Sequence, residues 1–126
     1  MSREPSLHIL LADDEEIVQQ TLGDYLRDCG HAVVSARSAD EVVRAIDRQP
    51  FDAVLLDVRM PGAYGLEVVE QIISRRPATP VVIISGHGDA DTVIQAMRAG
   101  AIDYLRKPVG LLALENAISK AIGTNG

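Results

Sequence analysis

Short apolar runs, each ended by a polar residue or a turn signal and each followed by a stretch of helical period, recur five times along this chain. They occupy residues 7–12, 32–36, 52–57, 81–85 and 102–105. These runs show little polar alternation, so they read as strands buried on both faces, the pattern of a parallel sheet. The intervening segments space apolar residues three and four apart, as a helix with one buried face does. The first carries Ile17, Val18, Thr21, Leu22, Tyr25, Leu26 and Cys29, and the second Ala39, Val42, Val43 and Ile46. The third carries Leu66, Val69, Ile72 and Ile73, the fourth Val93, Ile94 and Met97, and the fifth Leu111, Leu114, Ile118 and Ile122. Gly30, Gly100 and Gly123 stand where the first, fourth and fifth of these helices should end. Strict alternation with short connections implies a parallel sheet covered on both faces by right-handed crossovers. An eight-fold barrel would need about twice the length. The expected fold is α/β: a doubly wound three-layer sandwich with a five-stranded parallel sheet and five helices.

At 126 residues, with 47% hydrophobic and 24% charged side chains, the chain has the size and composition of one globular domain. Aromatic residues are only 3%, so the core must be aliphatic. The start, Met1-Ser2-Arg3-Glu4-Pro5, is polar and leads straight into a strand, and no apolar run reaches the roughly 18 residues of a spanning helix. A cytoplasmic location with no membrane partner is expected. A net charge of −6 argues against nucleic-acid binding by this segment alone. The single cysteine, Cys29, forms no internal disulfide and is expected in the core, and His8, His31 and His87 lack metal-ligand spacing.

The polar residues that end the strands form a constellation. Asp13 and Asp14 follow the first strand, Asp57 ends the third ahead of the Pro61-Gly62 turn, Ser85 ends the fourth, and Lys107 follows the fifth. All belong to the carboxyl edge of one parallel sheet, where open α/β sheets bind ligands. Helix-terminus chemistry accounts for part of the run Asp13-Asp14-Glu15-Glu16, since Asp caps and Glu favours the positive end of the dipole. It does not explain two adjacent aspartates at the tip of a buried strand. Three carboxylates drawn together repel one another, and one lysine cannot neutralise them. A hard divalent cation can, and Mg²⁺ suits a site with few carboxylates and several retained waters. A cation there makes Asp57 a plausible nucleophile for an acyl phosphate, with Lys107 and the Ser85 hydroxyl holding the phosphoryl oxygens.

Together, Asp13-Asp14, Asp57 followed by Met60-Pro61-Gly62, Ser85, Tyr104 and Lys107-Pro108 resemble the receiver domain of two-component response regulators, the CheY-like superfamily. The likeness spans residues 7–122 of a single domain occupying residues 1–126, with 123–126 reading as the start of a linker. It implies the strand order 2-1-3-4-5 and phosphorylation of Asp57 by a sensor histidine kinase. It implies a Mg²⁺ site made by Asp14, Asp57 and the Arg59 carbonyl, with Asp13 acting partly through water. It also implies a cis peptide at Lys107-Pro108, the kind of bond that turns cis readily. Ser85 and Tyr104 would be the switch pair, altering the surface of the fourth helix, fifth strand and fifth helix, where a partner or a second copy docks. Ser85-Gly86-His87-Gly88-Asp89 and Ala96-Met97-Arg98-Ala99-Gly100-Ala101 are similar to receivers that precede DNA-binding or AAA+ transcriptional output modules. Two positions depart from the family pattern: Ser85 replaces threonine, and Tyr64 replaces aspartate in Gly62-Ala63-Tyr64-Gly65.

Other chemistries fit less well. A haloacid-dehalogenase-like phosphatase needs a second aspartate two residues beyond its nucleophile, where this chain has Arg59. Gly86-His87-Gly88 lacks the third glycine of a dinucleotide fingerprint and follows the wrong strand, and no P-loop is present. An interaction module that is never phosphorylated would have no need of every side chain the phosphoacceptor chemistry requires. The expectation is a phosphoacceptor switch that catalyses only its own phosphorylation and dephosphorylation.

Overall fold

The computed structural model of the protein describes residues 6–125. The main sheet is built from β1 (His8–Ala12), β2 (Ala32–Ala36), β3 (Ala53–Asp57), β6 (Val81–Ser85) and β7 (Asp103–Arg106), all parallel, in the order β2-β1-β3-β6-β7. Counted within that sheet, this is the expected 2-1-3-4-5. Helices α1 (Glu16–Asp28), α2 (Ala39–Arg48), α3 (Gly65–Arg75), α4 (Ala90–Ala99) and α5 (Leu111–Asn125) make the crossovers and the final layer. A ribbon absent from the sequence reading follows β3: β4 (Arg59–Met60) pairs antiparallel with β5 (Ala63–Tyr64) across Pro61-Gly62. Strands of two residues are too short to leave a periodic signal. Tyr64 falls on β5, whose side chains lie outside the described residues.

Side chains alternate across the sheet and so divide the core in two. Leu10, Ala12, Val54, Leu56, Val81 and Ile83 meet Val42 and Ile46 of α2, Val68, Val69 and Ile72 of α3, and Val93 and Ala96 of α4. On the opposite face Ile9, Leu11, Ala53, Leu55, Val82 and Ile84 meet Leu22 and Leu26 of α1 and Leu114, Ala117, Ile118 and Ala121 of α5. Every residue of β3 and β6 is buried, which is why neither strand alternates in sequence. Each buried Leu, Ile or Val contributes about 1.5–3 kcal/mol of transfer free energy.

Several expected core positions lie outside. Ile17 is 70% exposed and Ile94 50%, and Leu111 and Ile122 are also exposed, because the helix faces that touch the sheet are narrower than the apolar stripes. On α5 the small Ala117 and Ala121 are buried instead, allowing close approach to the sheet. Cys29 is exposed rather than core: it is the C-cap of α1, where the chain leaves the helix and turns through Gly30 at φ +95°. Gly123 does not end α5, which runs on to Asn125; glycine in a helix costs about 1 kcal/mol but does not forbid it. Gly126 lies outside the described residues. Gly100 does close α4, at φ +127°, and an added Cβ there would run into Ile73 Cδ1. Among the described residues no helix is long and apolar enough to cross a membrane.

Candidate functional site: an acidic corner on the carboxyl edge

The sheet delivers its polar termini to one corner. Asp13 follows β1 and extends the ladder, its N–H donating to Ala36 O at 2.9 Å. Its side chain is fully buried, and Oδ1 accepts the Glu15 N–H at 2.8 Å. Asp57, the last residue of β3, is 4% exposed, and its Oδ1 accepts the Arg59 N–H at 2.9 Å. Asp14 is exposed on the rim. One carboxylate oxygen from each of Asp13, Asp14 and Asp57 falls within 4.8 Å of the others.

Lys107 enters from β7. Its N–H donates to Ser85 O at 2.8 Å, continuing the β6–β7 pairing one residue past the strands, and the Lys107-Pro108 peptide bond is cis. The ammonium lies 3.0 Å from Asp57 Oδ2 and 3.1 Å from Asp13 Oδ2, and it is also paired with Glu15 Oε1. The contact to Asp13 has ion-pair distance without hydrogen-bond alignment, so the buried Oδ2 accepts no hydrogen bond. Burial disfavours the Lys107 charge, but its hydrogen bonds to Glu15 and Asp57 and the adjacent Asp13 carboxylate outweigh it and hold the pKa above the ordinary lysine value. Burial is also the main influence on Asp57 and, with the charge of Asp13, pushes its pKa from 3.8 up to about 6 against the opposing pull of the Arg59 N–H and Lys107.

Three carboxylates thus share one ammonium, Asp14 adds a fourth negative charge beside them, and one buried carboxylate oxygen lacks a donor. That donor set fits a hard divalent cation with oxygen ligands, which Asp13, Asp14 and Asp57 could hold.

The structure therefore brings together Asp13, Asp14, Asp57 and Lys107. Ser85 is buried at the end of β6, where its hydroxyl donates a long 3.4 Å hydrogen bond to Leu105 O. Tyr104 in β7 is 49% exposed. It borders a groove of about 620 Å³ between α4 and β7, lined also by Ser85, Val93, Ile94, Met97 and Arg106.

Three residues outside the expected site set also shape this corner. Glu15 competes for Lys107. Gln19 is buried, its Nε2 donating to Asp13 O at 2.9 Å, Leu11 O at 3.0 Å and Ala36 O at 3.2 Å, and so ties the ends of β1 and β2 together. Its signal was a polar amide inside the apolar stripe between Val18 and Leu22. Asp89 is buried, its Oδ2 accepting the Gly86 N–H at 2.7 Å and its Oδ1 paired with Arg59 Nε. A polar residue three places after a strand-ending glycine, at the start of a helix, was the available hint.

A family model described as the response regulator receiver domain matches residues 9–119. The response regulator protein PilR of Pseudomonas aeruginosa is 40% identical over 126 residues, an alignment covering 97% of this chain and 27% of that protein. The chain spans about a quarter of the length of the curated relatives it matches. Among solved structures, NtrX from Brucella abortus superposes with a TM-score of 0.89 at 33% identity, covering 96% of this chain and 28% of that one. The receiver domain of the sensor histidine kinase PA1611 from Pseudomonas aeruginosa PAO1, which has a magnesium ion coordinated in its active site cleft, superposes with a TM-score of 0.84 at 27% identity, covering 94% and 99% of the two chains.

Proposed function

Since this chain belongs to the response regulator receiver domain family of two-component signalling, we propose that Asp57 is its phosphoacceptor, taking a phosphoryl group from a sensor histidine kinase in a Mg²⁺-dependent reaction. The observation that carries this reading is the nearly buried Asp57 carboxylate, placed between Lys107 and the Asp13-Asp14 pair at the end of a fully buried strand. An Asp57 oxygen attacks phosphorus, the phosphorus–nitrogen bond of the donor's phosphohistidine breaks, and the imidazole nitrogen leaves with the electron pair. The Arg59 N–H fixes the carboxylate plane during attack. Lys107 shifts its hydrogen bond from the carboxylate to the phosphoryl oxygens. Asp13, Asp14, Asp57 and the Arg59 carbonyl would hold Mg²⁺, which when bound neutralises charge on the transferring group.

With the acyl phosphate in place, the Ser85 hydroxyl exchanges its long bond to Leu105 O for a charge-assisted one to the phosphoryl group. Tyr104 then turns into the vacated space beside β6, changing the surface of α4, β7 and α5. That surface is where a second copy or an output module docks. An attached transcriptional output, DNA-binding or AAA+, accords with the short share of its relatives that this chain spans and with names such as the transcriptional regulatory protein GlrR of Escherichia coli, 35% identical over 122 residues.

Incubation with acetyl phosphate, followed by intact-mass measurement, tests the assignment. One phosphoryl group should add in the presence of Mg²⁺, none in EDTA, and none to Asp57→Asn. Equal labelling without the metal, or of Asp57→Asn at another residue, contradicts it.

A further inference from the structure

We propose that Arg59 and Asp89 form a charge latch between the phosphoacceptor edge and the first turn of α4, and that phosphoryl transfer to Asp57 opens it. The inference rests on Asp57 being the phosphoacceptor and adds a second connection from that site, separate from Ser85 and Tyr104.

Asp89 occupies the N-cap position of α4, yet its side chain makes no capping hydrogen bond to the helix. The carboxylate is committed elsewhere, to the Gly86 N–H and to Arg59 Nε, and it is 3% exposed. A carboxylate buried to that extent needs its cation, because an unpaired charge out of water is strongly unfavourable. Arg59 is the opposite kind of group. Its side chain is 70% exposed on a flexible stem and can leave without being stranded.

The backbone places that guanidinium next to the site. Arg59 lies two residues after Asp57, with its own N–H bonded to Asp57 Oδ1. Its side chain borders a concavity of about 700 Å³ that Asp14 lines on the acidic side and Thr92 of α4 on the other. Phosphorylation converts the single negative charge of Asp57 into the roughly two of a phosphoryl group, with three strong acceptor oxygens. A guanidinium matches phosphate oxygens with two parallel hydrogen bonds, whereas only its Nε is engaged by Asp89. Arg59 therefore exchanges Asp89 for the phosphoryl group. Asp89, left with only the Gly86 N–H, moves toward water, releases that bond and loosens the turn at residues 86–89, where Gly88 already stands at φ +87°.

NMR of the domain with and without beryllium fluoride and Mg²⁺ reads both ends of the latch. Occupancy of Asp57 is followed independently by the bound fluorine signal and, with acetyl phosphate, by the added mass. In the wild type, occupancy should shift the Arg59 Nε–H resonance and speed hydrogen exchange at the Gly86 amide by about ten-fold, the scale of losing a hydrogen bond to a charged group. In Arg59→Gln, Gly86 should exchange about ten-fold faster before any addition, and beryllium fluoride should then add less than about two-fold. An occupied Asp57 with an unmoved Arg59 signal and a protected Gly86 overturns the latch alone, as does a full response in Arg59→Gln. Absence of phosphoryl mass on Asp57 overturns the phosphoacceptor reading, and the latch with it.

Discussion

The two sides of the carboxyl edge are held in very different ways. At the β1–β3 corner, Asp13 is tied through its N–H to Ala36 and through its carboxylate to Glu15, and its carbonyl is held by Gln19. Asp57 stands on a strand with every residue buried. On the β6–α4–β7 side, the Ser85 hydroxyl makes one long hydrogen bond, Tyr104 is half exposed, α4 buries only Val93 and Ala96, and β7 buries only Leu105. Chemistry needs groups whose positions are over-determined, whereas a response needs elements that few contacts restrain. The same sheet edge supplies both because its central strands are covered on two faces and its edge strand is not.

A matched pair of core and surface truncations should expose this asymmetry most strongly. Leu55→Ala removes a fully buried side chain from β3 and should lower unfolding stability by about 3 kcal/mol. Ile94→Ala on α4, which is half exposed, should cost less than about 1 kcal/mol. Urea unfolding of both variants measures the difference, and equal losses would break the comparison.

A smaller effect arises within the corner itself. Folding raises the Asp57 pKa from 3.8 to about 6, so the folded state favours the protonated form. The stability this provides is complete below about pH 4 and is lost as pH rises through about 6. Asp57→Asn removes the penalty, while Lys107 keeps Asp13 and Glu15 as partners. In EDTA, the variant should be more stable than wild type by about 1–3 kcal/mol at pH 7.5, the span of a shift of this size, and show no such gain at pH 4. A variant that is less stable at pH 7.5 would mean that the carboxylate is a net structural anchor.

Much of this arrangement was legible in the residues. The non-alternating runs ending in Asp57 and Ser85 marked strands covered on both faces, and β3 and β6 are buried at every position. Asp13, Asp14, Asp57 and Lys107 could be placed together because strand ends share an edge in any parallel sheet. The exposure of Ile17, Ile94 and Cys29 was not legible, since periodicity finds an apolar stripe but not how much of it the sheet can cover. The engagements of Glu15, Gln19 and Asp89 were hidden for another reason. Each depends on where a side chain ends relative to backbone from a distant part of the chain, and local pattern carries no such distance. The hydrogen bond of the Ser85 hydroxyl to Leu105 O is a torsional detail of the same kind.

Residue-resolved hydrogen exchange with and without beryllium fluoride and Mg²⁺ tests the central claim most directly, because it compares the two sides of the edge in one sample. With Asp57 occupied, amides in residues 86–106 should change their exchange by about ten-fold, while those of β1 and β3 keep their free-state protection. Unchanged exchange across residues 86–106 at full occupancy, or a loss of protection spread equally through β1 and β3, would contradict a fixed acidic corner coupled to a yielding α4–β7 face.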